Sequence, residues 1–141
     1  MKKLLTLLAV TLLLVACKKD EQIEKNLWKG DGIWNITSYT SSETSTPSSQ
    51  SDFTYTANNA GSITFKKDGT GIFKYVDGGD VELASFNYSN TTETLTMIID
   101  SEARIFNMDW KKNKMTLTIA QNYSSNGTSY DYKEIIDLSK Q

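Results

Sequence analysis

The chain has no histidine, one cysteine (Cys17), one proline (Pro47) and one arginine (Arg104) among its 141 residues. Each shortage removes a class of chemistry. Without histidine, the serine, cysteine and threonine hydrolase constellations lose their usual base. Zinc sites built on Cys and His lose their ligands as well. One arginine and a formal net charge of -2 leave no clustered cationic surface to neutralise phosphates. The pairs Lys66-Lys67 and Lys111-Lys112 read as solvated turn residues, so nucleic acid is not an expected partner. No apolar run reaches the roughly 20 residues that a membrane-spanning helix needs.

The longest apolar stretch, Leu4 to Ala16, is interrupted only by two threonines. It has the length of a secretory h-region, and Lys2 and Lys3 supply the positive segment in front of it. Residues 1–16 therefore read as a signal peptide. Cys17 follows at once, and a lone cysteine in an exported chain cannot close an internal disulfide. Leu14-Val15-Ala16-Cys17 resembles the lipobox of bacterial lipoproteins, with an apolar residue three before the cysteine and a small one directly before it. The resemblance implies that Cys17 becomes the first residue of the mature chain, diacylated on sulfur with palmitate-type chains and acylated on nitrogen. Two or more acyl chains, at about 0.8 kcal/mol per buried methylene, anchor a protein stably without spanning the bilayer. Lys18-Lys19-Asp20-Glu21 looks like the lysine-then-acids export signal of surface lipoproteins in one Gram-negative phylum. It implies display on the cell surface from the outer membrane, with a periplasm-facing anchor as the alternative.

Residues 17–28, the lipidated cysteine and "KKDEQIEKNLW", read as a charged tether with room for a short helical turn. From residue 29 to 141 the texture is that of one all-β domain: short β-rich runs broken by turn residues. "IWNITSYT" opens the series, and "SSETSTPSSQS" (41–51), with no aliphatic residue, reads as a surface loop. "SITFKK" and "TGIFKYV" flank Asp68-Gly69, which supplies the positive φ angles of a tight hairpin. In "TLTMIID", Leu95, Met97 and Ile99 fall on one face and Thr94 and Thr96 on the other. Continuing through "RIFNMDW", "MTLTIAQNY" and "SYDYKEIIDL", the spacing predicts eight or nine antiparallel strands in an up-and-down meander. Closure into a barrel removes exposed edges; a two-sheet β-sandwich is the alternative.

Gly32-Ile33-Trp34 stands at the start of the first strand, where lipocalins carry a G-x-W motif. Together with "ITFKKDGTGIFKY" and the later strand rhythm, the domain resembles the small lipocalin-like (calycin-type) domains of bacterial lipoproteins. The resemblance implies that Trp34 closes one end of the barrel against a cationic side chain, for which Lys133, Lys140 and Arg104 are the candidates. The other lipocalin motifs and a C-terminal helix are not apparent, and the domain is short, so any cavity should be reduced.

An eight-stranded barrel is just wide enough to be filled by side chains or to hold one small ligand. The candidate interior residues are Trp34, Phe65, Phe73, Phe106, Trp110 and Tyr130, which either pack the barrel or contact a ligand. The acids Asp77 and Asp80, and Asp100 and Glu102, bracket turns, and their bland reading is turn formation. "DGGD" lacks the alternating oxygen ligands of a calcium loop, so neither a metal nor a cofactor is expected. The reading is a non-enzymatic, lipid-anchored envelope protein that binds a small apolar or amphipathic molecule. The alternative is a surface module that docks a protein or glycan through the 41–51 loop and the 124–129 turn.

Overall fold

The computed structural model describes residues 19–47 and 52–141; the signal segment, Cys17 and residues 48–51 lie outside them. Eight strands follow in chain order: β1 (Ile33–Thr46), β2 (Phe53–Phe65), β3 (Thr70–Asp77), β4 (Asp80–Asn90), β5 (Thr94–Ile99), β6 (Glu102–Lys111), β7 (Lys114–Ser125) and β8 (Thr128–Lys140). Each pairs antiparallel with its successor, and β8 pairs back onto β1 from Trp34–Lys140 to Thr46–Ser129. The meander is therefore a closed barrel and not a sandwich. Closure satisfies the backbone donors and acceptors that an open sheet would leave at its edges.

The period-two pattern sets which side chains point inward. Leu95 and Met97 of β5, and Met115, Leu117 and Ile119 of β7, are buried, while the intervening threonines face out. β1 is longer than its apolar content suggests, because residues 41–46, which read as loop, pair with β8 along their whole length and with β2 as far as Glu43. A bulge between Ile36 and Ser38 inserts one residue and shifts the inward phase. Below it Trp34 and Ile36 point in; above it Tyr39, Ser41 and Ser45 do. The Asp68-Gly69 turn also differs from the expected form. Only Gly69 has a positive φ, and Asp68 acts through its side chain, accepting from the Thr70 amide at 3.0 Å and the Thr70 hydroxyl at 2.7 Å.

The segment that read as a tether is a helix, α1 (19–28), docked against one end of the barrel. Ile23 and Leu27, one turn apart, are buried in the core, while Lys19, Glu21, Glu24 and Lys25 face solvent. Burial of two such side chains stabilises the docking by about 1.5–3 kcal/mol each. At the start of α1, Asp20 is tied to the β4–β5 turn: Thr92 Oγ1 donates to its carboxylate at 2.9 Å and Asn90 Nδ2 to its carbonyl at 3.2 Å. At the other end, Trp34 Nε1 donates to the Leu27 carbonyl at 2.9 Å, and the Lys140 ammonium donates to the Asn26 carbonyl. These bonds satisfy carbonyls that a helix leaves without partners, and they place a cation at its negative end.

Trp34 is fully buried. Trp110 meets it edge-on with centroids 5.2 Å apart, and Lys140 Nζ lies 5.3 Å from its ring. Of the three candidate cations, Lys140 is the one that covers Trp34. Gly32 sits at φ +69°, where a Cβ would run into the Phe65 carbonyl, so the motif's glycine is a steric requirement.

Candidate functional site

The barrel interior is divided. At the end capped by α1, large side chains fill it: Trp34, Phe65 and Phe106 are at most 1% exposed, with Ile63, Leu95 and Leu117 between them. At the opposite end the strands enclose an open cup of about 510 Å³, a size that suits a small organic ligand.

An ion pair lies at the boundary between the two halves. Arg104 on β6 reaches Glu134 on β8, and these strands are not neighbours, so the contact crosses the interior in front of β7. Glu134 is 1% exposed, whereas the Arg104 side chain is 37% exposed and opens to the cup. The carboxylate also accepts from the Tyr132 hydroxyl at 2.9 Å, and Ser41 Oγ donates to that hydroxyl at 3.4 Å. Beneath the pair, the Arg104 guanidinium stands 5.3 Å from the Phe106 ring, which belongs to the packed half. A carboxylate this deep is tolerated because it is paired and hydrogen-bonded at once.

The walls are aromatic. Tyr39 makes edge-type contacts with Tyr55 (6.3 Å, 61°) and with Tyr75 (5.6 Å, 65°). Tyr75 donates its hydroxyl proton to the Tyr55 oxygen at 3.0 Å. Phe53, Phe73, Leu83 and Ala84 also line it, and Glu82 stands exposed beside them. Burial, then the nearby Glu134 charge, pushes the Tyr39 pKa up to about 12. Burial likewise raises Tyr132. Both are neutral hydrogen-bonding groups at any ordinary pH. Beyond the cup lining, Tyr123 stacks on Tyr130 (4.9 Å, 12°) and donates to Glu43 at 2.6 Å, tying β7 to β1.

The six residues singled out from the sequence are therefore spread over the whole length of the barrel. Trp34, Phe65 and Phe106 are packed at the capped end, where Trp110 is partly buried beside Trp34. Phe73 lines the cup, and Tyr130 lies toward its open end in the Tyr123 stack. Sequence reasoning passed over Tyr39, Tyr55, Glu82 and the Arg104–Glu134 pair. A signal for two cup positions was present in the alternation Tyr39-x-Ser41, but the bulge that turns these residues inward is not visible in composition. Among the described residues no group of acids could hold a metal ion.

No protein-family model matches the chain, and no curated protein does. Among solved structures, the chain is similar to an uncharacterized protein from Bacteroides eggerthii. Identity is 13%, coverage is 72% of this chain and 96% of that one, and the TM-score is 0.42.

Proposed function

We propose that this is a lipid-anchored, non-enzymatic protein of the bacterial cell envelope that takes up a small amphipathic molecule in the cup of a lipocalin-like barrel. One observation carries the binding reading: a barrel packed at one end stays hollow at the other, with aromatic walls above a single ion pair. A barrel of eight strands with sufficient inward side chains closes solid. Here the inward side chains at the open end include Ser41 and Ala84, which leave space. The Gly32–Trp34–Lys140 arrangement supports the lipocalin-like assignment, and the sequence Leu14-Val15-Ala16-Cys17 supports the anchor. The lack of histidine and the raised tyrosine pKa values favour binding over catalysis.

Native mass spectrometry of the full chain, incubated with a bacterial envelope extract, tests the binding reading. A discrete added mass that is lost on denaturation is expected. Ala84→Trp, which fills the cup from its wall, should abolish it. A clean apoprotein mass across extracts of lipid and of small metabolites would sink the proposal.

A further inference from the structure

Resting on the reading of the cup as a ligand site, we infer that its ligand is an organic cation, an amine or quaternary ammonium group on an aromatic or alkyl body. The first support is charge. The ionisable carboxylates and cations in the cup lining are Glu82, Glu134 and Arg104. Arg104 is already balanced by Glu134, which leaves the Glu82 carboxylate uncompensated. No described lysine lines the cup, although the chain is rich in them. Lys74 and Lys133 are exposed at outward positions that alternate with Phe73 and Tyr75, and with Tyr132 and Glu134. With two carboxylates against one guanidinium the lining carries a net negative charge, and a concave site of net negative charge concentrates cations.

The second support is the tyrosine cluster. Tyr39 meets both Tyr55 and Tyr75 at steep interplanar angles of 61° and 65° within 6.3 Å. Rings set at steep angles around one cup present their electron-rich faces in more than one direction, and such faces attract ammonium groups. An anionic ligand fares worse on both counts. Its only cation is Arg104, whose charge Glu134 already balances, and it would also meet Glu82.

The test is calorimetric titration of the purified full chain at pH 7 and low salt with three probes that share an indole ring. Tryptamine is the cation, tryptophol the neutral form and indole-3-acetate the anion. Tryptamine should bind about tenfold more tightly than tryptophol, the sum of a local carboxylate and two ring faces, with indole-3-acetate weakest. Glu82→Gln, at an exposed position, should shrink the cation preference about three- to fivefold without weakening tryptophol. Tyr39→Leu should shrink it by a similar factor; if that variant does not fold, the Glu82 result decides. Equal or tighter binding of indole-3-acetate overturns the inference, as does a preference that Glu82→Gln leaves intact. If tryptophol binds and tryptamine does not, the cation inference fails while the cup reading stands. If no probe binds, the cation inference fails, and the native-mass adduct shows separately whether the cup reading falls with it.

Discussion

Replacing Arg104 with methionine keeps an unbranched stem over Phe106 and removes the charge that balances Glu134. Breaking a fully buried ion pair from one side costs about 3–5 kcal/mol, because the remaining charge stays desolvated. Arg104 is 37% exposed, so water already reaches its side of the pair and the cost falls to about 2–3 kcal/mol. Glu134 itself is 1% exposed and retains one compensating donor, the Tyr132 hydroxyl, which prevents a larger loss. Equilibrium urea denaturation followed by tryptophan fluorescence should register this as a lower midpoint at unchanged slope. In a melting curve the same loss corresponds to a fall of roughly 6–15 °C for a domain of this size. Adding Glu134→Leu to the variant removes the stranded charge. The double variant should then recover to within about 1 kcal/mol of the parent, leaving a coupling energy that a double-mutant cycle reads directly. A loss below about 1 kcal/mol in Arg104→Met, or no recovery in the double variant, would refute the view that Glu134 depends on this partner.

Trp34→Phe removes the donor to the Leu27 carbonyl and weakens the stacking of Lys140, so α1 should loosen at a cost of about 2–3 kcal/mol; hydrogen exchange should rise in residues 19–28 before it rises in the strands. Gly32→Ala forces a Cβ against the Phe65 carbonyl at a positive φ, and a loss of more than about 2 kcal/mol in the same denaturation assay is expected. Tyr39 and Tyr88 each have a folded-state pKa near 12 against an ordinary value of 10.0, chiefly through burial. Stability should therefore hold below pH 10 and fall as the pH rises from 10 toward 12, where unfolding lets these phenols ionise; a Tyr39→Phe variant should show a shallower fall. Metabolic labelling with palmitate in a bacterial host should tag the full chain and leave Cys17→Ala unlabelled; equal labelling of both would remove the anchor.

The barrel was legible in the sequence because several of its strands alternate clearly. Leu95-x-Met97 and Met115-x-Leu117-x-Ile119 announce one buried face each, and Asp-Gly marks a hairpin between two of them. Other elements were hidden for identifiable reasons. Residues 41–46 carry no aliphatic side chain, yet they are strand because β8 pairs with all of them and β2 with residues 41–43. That is a tertiary override of weak local preference. The helix was masked by its solvent face, where Lys19, Glu21, Glu24 and Lys25 outnumber Ile23, Leu27 and Trp28, which pack on the core. The cup was least legible. Trp34 and Tyr39 both point inward, and only the height at which each sits decides whether it is packed or lines a cavity. Arg104 and Glu134 meet across the interior from strands that are not neighbours, a pairing that no local spacing encodes.

The docked helix also fixes a direction. Its first described turn is held against the β4–β5 turn, at the end of the barrel away from the cup. Only Lys18 separates Cys17 from that helix. With acyl chains on Cys17, the packed end of the domain would be the end nearer the headgroups. The opening would then face away from the bilayer, with the docked helix and the packed half of the barrel between them. Exchange of ligand would run between the cup and the surrounding fluid, and a molecule delivered from the membrane interior would have to leave it first.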